Sequence, residues 1–262
     1  MPFAEVGGRR HYYELHGEGD PLLCVMGLSA DTVAWALQVP AWSAEFRTAI
    51  FDNRDVGQSD YVDDDYELED LAADAFALAD VLGWERFHLV GMSLGGTIAQ
   101  RMALTHPERV RTLTLATTWG GSGRYGELRA GWWGPLVQRS TREQRVDMML
   151  TLTLSEGWLE QNADWIRELM LKNPHPQDPA GFARQLWAGA RHEARAELPS
   201  LTMPVHVIGA ARDVLVPVWK SEELHELIPG SEYTVIEDSG HAVNVEQAET
   251  FNAAVLGFLR AN

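Results

Sequence analysis

The chain has 262 residues and 45% hydrophobic content, enough for one large α/β domain or one domain carrying an insertion, with a sizeable core. Its 38 acidic residues against 21 basic ones give a net charge of -17, which counts against nucleic acid, anionic membranes and polyanionic substrates as partners. One cysteine (Cys24) excludes an internal disulfide, and the chain shows neither an apolar leader in "MPFAEVGGRR" nor an apolar run near the ~20 residues of a spanning helix, so the expectation is a soluble cytoplasmic protein.

In chain order, "HYYEL" (11–15), "PLLCVM" (21–26) and "FRTAIFD" (46–52) read as strands. "ELEDLAADAFALADVLG" (67–83) reads as a helix. Its stripe is Leu68, Leu71, Ala72, Ala75, Ala79 and Leu82, with Asp70, Asp74 and Asp80 off the stripe and Gly83 to end it. "FHLVGM" (87–92) is a strand that runs into a glycine-fenced serine and the helical "GGTIAQRMALTH", and "VRTLTLA" (110–116) is the next strand. From Trp119 to Pro199 strand patterns give way to several helices, which hold Trp119, Trp132, Trp133, Trp158, Trp165 and Trp187, six of the ten tryptophans. These aromatics either build the insertion's own core or face a pocket beneath it.

The strand pattern resumes in "MPVHVIGA" (203–210) and "SEYTVIE" (231–237). A last helix puts Ala248, Phe251, Val255 and Phe258 on one face, with Asn244 as its N-cap. Strands with few polar interruptions, alternating with helices, imply a mostly parallel sheet flanked by helices on both sides. The expected organisation is an α/β core in two parts, 1–118 and 200–262, with a helical cap insertion at 119–199.

Gly91-Met92-Ser93-Leu94-Gly95 is G-x-S-x-G between a strand and a helix. A sharp turn there lifts the Ser93 hydroxyl above the sheet and leaves no room for a Cβ two residues away on either side. A serine hydroxyl is a poor nucleophile near neutral pH and needs a base. His11, His16, His88 and His206 lie in or near strands, His106 precedes Pro107, and His225 sits in a helix. His241, in the loop "EDSGHAVNVEQAE" between the last strand and the last helix, is the candidate base. The acid that fixes its tautomer is Asp213 in "IGAARDVLVP", just past a strand, with Asp238 as the rival.

Together, "VMGLSADTVAW", "FDNRDVGQSD", "LVGMSLGGTIAQ", "VIGAARDVLVP" and "DSGHAVNVEQAE", in that order, resemble the α/β-hydrolase fold superfamily over nearly the whole chain. The likeness is greatest to its small esterase, enol-lactonase and cofactor-free haloperoxidase branch. The resemblance implies a Ser93–Asp213–His241 triad and an oxyanion hole made by the backbone N–H groups of Leu28 and Leu94. The chain departs from the pattern at Met26, where many members have His, and at Asp55, where glycine is common. Asp52 and Arg54 are expected to brace the turn after the "FRTAIFD" strand.

The implied activity is hydrolysis of a small carboxylic ester or lactone through an acyl-enzyme, with no cofactor and no metal. C–C bond hydrolysis, perhydrolysis and ligand reception on a retained triad are the alternatives.

Overall fold

The computed structural model describes residues 3–262; Met1 and Pro2, which begin both the 1–118 segment and the "MPFAEVGGRR" stretch, lie outside the described residues. The core starts with strands β1 (Phe3–Val6), β2 (Arg9–His16) and β3 (Asp20–Val25), a short helix α1 (Val39–Trp42), and β4 (Phe46–Phe51). Helix α2 (Leu68–Val81), strand β5 (Phe87–Met92), helix α3 (Leu94–Thr105) and strand β6 (Val110–Ala116) follow. Four helices then interrupt the alternation: α4 (Gly123–Arg139), α5 (Arg142–Thr153), α6 (Glu156–Lys172) and α7 (Pro179–Ala190). The core closes with β7 (Val205–Ala210), α8 (Trp219–Leu227), β8 (Glu232–Ile236), the short α9 (Val243–Glu246) and α10 (Ala248–Ala261).

The eight strands form one sheet in the order β1-β2-β4-β3-β5-β6-β7-β8. β2 runs antiparallel to both β1 and β4, and every later pairing is parallel. The sheet is therefore the mostly parallel, helix-flanked one expected, with one strand more than the sequence patterns give. β1 holds only four residues, too few to show a period, and it pairs at the sheet edge.

Central strands are buried on both faces, and their alternate side chains feed two cores. On β5, Phe87 and Leu89 join Leu71 and Ile98 on one face. Val90 and Met92 join Trp42 and Phe251 on the other. A third cluster lies within the four-helix segment, where Ala130, Trp133 and Val137 of α4 pack on Phe182, Leu186 and Ala190 of α7. Among the described residues no helix is long and apolar enough to cross a membrane.

Asp74, off the apolar stripe of α2, is nevertheless buried, and its two oxygens accept from Arg54 Nε and Nη2 at 2.6 and 2.7 Å, with His11 Nε2 3.6 Å away. One local expectation is corrected. Asn244 does not cap the last helix, because α10 starts at Ala248 after Gln247. The Asn244 side chain is instead buried and donates to the carbonyl of Ala34 at 2.8 Å.

Candidate active site

β5 delivers Ser93 into a turn with φ 56° and ψ -123°, a left-handed conformation that costs a non-glycine residue energy. The turn is held by Ser93 N–H donating to Ala116 O at 2.9 Å and by Thr118 Oγ1 donating to Ser93 O at 2.6 Å. The flanking glycines are steric necessities. A Cβ on Gly95 would sit 2.0 Å from the Val25 carbonyl oxygen, and one on Gly91 would sit 2.4 Å from the Gly95 oxygen. Helix α3 starts at Leu94, so its free N–H groups and dipole sit beside the serine.

Past the end of β7, Asp213 turns its carboxylate inward. Oδ1 accepts from the amides of Leu215 and Val216, each at 2.8 Å, and Oδ2 receives the Nδ1 hydrogen of His241 at 2.7 Å. The Asp213 side chain is fully buried. That bond leaves Nε2 of His241 free to face the cavity, the tautomer a proton-accepting imidazole needs. Asp238 lies elsewhere, in an exposed pair with Arg212 at 2.6 Å.

Ser93 and His241 line one cavity of about 580 Å³ together with Leu28 and Leu94. Among the described residues, the amides of Leu28 and Leu94 donate to no protein acceptor. With Met26 in place of histidine, the Leu28 loop is held from three other directions. Asn53 Nδ2 donates to Met26 O at 3.1 Å, Ser29 N–H donates to Gln185 Oε1 at 3.2 Å, and Thr32 N–H donates to Asp52 Oδ1 at 2.7 Å. Asp52 also accepts from Gln58 N–H at 2.9 Å, and burial pushes its carboxyl up to about 6. Asp52 thus braces the turn after β4 as expected, and Arg54 does so through Asp74 and a cation–π contact with Tyr66, 5.1 Å from its ring centre.

The helical segment contributes much of the wall. Trp119, Trp133 and Trp165 line the cavity, whereas Trp132, Trp158 and Trp187 are not among its lining residues. Trp132 is 57% exposed and stacks on Trp133 from outside, with ring centres 6.3 Å apart. Trp158 and Trp187 pack in the segment's own apolar clusters. Both readings of the tryptophans therefore hold, each for different residues.

Several residues with no signature in the sequence tie this segment to the site. Gln185, fully buried on α7, accepts from Ser29 and donates to Arg54 O at 3.1 Å. Arg184 forms a two-pronged ion pair at 2.8 and 3.0 Å with Asp55, whose side chain is fully buried. Glu246 accepts from the amides of Gly240 and Ser155 at 3.0 and 2.9 Å, joining the His241 loop to the start of α6. No local pattern marks these residues, because each acts on a partner distant in the chain.

Three of the other histidines are held by structural partners. His88 meets Thr112 Oγ1 at 2.7 Å, His206 meets Thr234 Oγ1 at 2.9 Å, and His192 meets Gln100 Oε1 at 3.0 Å. Among the described residues no group of three or more His, Cys, Asp or Glu is placed to hold a metal ion.

Comparison with known proteins agrees with this fold. A family model described as the alpha/beta hydrolase fold matches residues 20–248. A Rhizobium rhizogenes protein named "Putative carbamate hydrolase RutD" is 30% identical over 260 residues, covering 95% of this chain and 98% of that protein. The enol-lactonase of Burkholderia xenovorans LB400 superposes with a TM-score of 0.91 at 26% identity, covering 99% of this chain and all of that one. A thermophilic esterase from Thermogutta terrifontis superposes with a TM-score of 0.88 at 26% identity, covering 100% and 97%.

Proposed function

The chain belongs to the α/β-hydrolase fold family, and from that premise we propose that it is a serine hydrolase cleaving a small carboxylic ester or lactone through an acyl-enzyme. The observation that carries the reading is the buried 2.7 Å bond from His241 Nδ1 to Asp213, with His241 and Ser93 lining one cavity. The relatives named for lactone, ester and carbamate hydrolysis support the same reaction class.

Ser93 Oγ attacks the substrate carbonyl while His241 Nε2 takes its proton. Asp213 keeps the ring in the required tautomer and balances the imidazolium charge. The tetrahedral oxyanion is held by the amides of Leu28 and Leu94, which are already unpaired and so need no rearrangement. The imidazolium then protonates the leaving oxygen. In a second round His241 activates water, which releases the acid and frees Ser93. Every atom of this cycle comes from the chain, the substrate and water.

Residues 119–199 serve in this reading as a cap over the core formed by 1–118 and 200–262, closing an apolar chamber for a small molecule in the cytoplasm. A fluorophosphonate, which mimics the tetrahedral intermediate, is expected to label one peptide, the one bearing Ser93. Labelling at any other residue, or equal labelling of Ser93→Ala, would remove the assignment.

A further inference from the structure

The loop after β3 passes against the nucleophile. Its residues Gly27 to Ala30 form a four-residue turn, closed by Ala30 N–H donating to Gly27 O at 3.4 Å. A Cβ on Gly27 would sit 2.9 Å from the Cβ of Ser93, so the turn starts in contact with the reacting serine. Leu28 takes the second place of the turn at negative φ, and Ser29 takes the third at φ 67°. A third residue at positive φ marks a type II turn, where glycine or asparagine is the usual choice. Serine carries a Cβ that opposes this conformation, so a contact outside the turn must hold it there.

That contact is Gln185 on α7, which is fully buried. Its Nε2 donates to Arg54 O at 3.1 Å, and because a carbonyl only accepts, the direction of the side-chain amide is fixed. Its Oε1 therefore faces the turn and accepts from Ser29 N–H at 3.2 Å. The same oxygen accepts from Gln177 Nε2 at 2.9 Å, which also donates to Asp55 O at 3.0 Å. Two successive carbonyls of the turn after β4 thus orient both glutamines. Rotating the Leu28–Ser29 peptide into the commoner type I turn would return Ser29 to negative φ. It would also aim Leu28 O, instead of Ser29 N–H, at Gln185 Oε1. Two buried acceptors facing each other, with a donor left unpaired, disfavour that rotation.

We propose that Gln185 is a positioning residue for the oxyanion hole: it holds the Leu28–Ser29 peptide in its strained orientation and so aims the Leu28 amide at the reacting carbonyl. The proposal rests on the hydrolase reading and on Leu28 as an oxyanion donor. Leu28 is the second residue of the turn, so the aim of its amide follows the turn's conformation. Seating α7 on the core then completes the hole, and the helical segment acts on the chemical step as well as on substrate choice. The oxyanion exists only in the tetrahedral state, so a misaimed donor lowers kcat and leaves KM in place.

The test starts with Gln185→Met, which keeps the side chain's length and removes its hydrogen bonds. On a p-nitrophenyl ester kcat is expected to fall by ~10- to 100-fold, a part of what a lost oxyanion donor costs. KM should stay within about threefold. An arylboronic acid, whose adduct with Ser93 is tetrahedral, should lose affinity by a like factor. The pH midpoint of kcat/KM should not move, since the bond between His241 and Asp213 is untouched. Adding Ser29→Gly, which adopts positive φ unaided, should restore kcat by about fivefold or more. Removing a hydroxymethyl group from a loop would not repair a packing defect on α7.

A second measurement needs no variant. Hydrogen exchange at the Ser29 amide of the wild type is expected to be at least about a hundredfold slower than in an unfolded chain. Free exchange there overturns the proposal even if Gln185→Met does not fold. A kcat unchanged within about twofold, a loss carried by KM alone, or no restoration by Ser29→Gly overturns the positioning role and leaves the hydrolase reading standing. If the wild type turns over no ester and forms no boronate adduct, the hydrolase reading falls and this role falls with it.

Discussion

Asp213 Oδ2 accepts the Nδ1 hydrogen of His241 at 2.7 Å, while Asp238, only three residues before the histidine, turns away to Arg212 at 2.6 Å. Proximity in the chain and proximity in space thus point to different carboxylates. Asp213→Asn should lower kcat by up to ~10⁴, because the amide favours the wrong imidazole tautomer. Asp238→Asn should change kcat less than about twofold, since it loses only an exposed ion pair. Steady-state kinetics on one aryl ester checks both, and the reverse ranking would move the acid to Asp238.

The ion pair between Asp55 and Arg184 joins the core to α7. Asp55 occupies φ 65°, a conformation that suits glycine, and its carboxylate also accepts from Val62 N–H at 2.8 Å. Arg184→Ala strands that buried carboxylate and should cost about 3 kcal/mol in urea unfolding. Asp55→Gly combined with Arg184→Met removes both charges and relieves the backbone, so it should cost less than the single change. A double variant less stable than Arg184→Ala would contradict this account of the contact.

Trp133 and Trp132 are neighbours with opposite fates, one in the cavity wall and one outside it. Trp133→Ala should change the relative kcat/KM of short and bulky acyl esters, since a pocket wall discriminates by ~1–3 kcal/mol per small group. Trp132→Ala should leave the ranking as it is. Equal effects from the two would mean that α4 does not select the substrate.

Stability should fall as the solution is acidified below neutral. Burial lowers His88 and His206 to about 4 and His192 to about 3, and it lowers His11 as well. Above the ordinary imidazole value of ~6.5 these rings are neutral in both folded and unfolded chains. Below it, the unfolded chain binds protons that the fold does not, so stability is progressively lost from about 6.5 down to the folded values. The slope is about 1.4 kcal/mol per pH unit for each such proton. Asp52, raised to about 6, acts the other way: between there and its ordinary value the folded state holds the extra proton. One opposing carboxyl does not cancel several histidines. Urea unfolding free energies at pH 7 and pH 5 check the sign, and a higher value at pH 5 would refute it.

Seven of the eight strands and the strand-turn-helix around Ser93 were legible because their causes are local. An apolar run, a glycine fence and a helix start all lie within one stretch of chain. The burial of Asp74 leaves no local signal, because the charge that pairs with it, Arg54, lies twenty residues earlier. Asn244 looked like a cap by its place before an apolar stripe, but Ala34 and Gln38, more than two hundred residues away, hold it instead. The parts of the site that depend on how α4–α7 settle on the core left no mark in the sequence. Gln185 under the Leu28 loop and Glu246 beneath the His241 loop become recognisable only once both segments are in place.

The most direct test of the central claim is a pre-steady-state trace of aryl alcohol release from an aryl ester, run on the wild type and on Ser93→Ala. The account predicts sustained multiple turnover in the wild type, an acyl group trapped by acid quench on the Ser93 peptide, and a loss in Ser93→Ala on the order of 10⁶ in kcat. Release of one equivalent followed by a lasting acyl adduct, or a folded Ser93→Ala protein retaining a tenth of wild-type turnover, would contradict it.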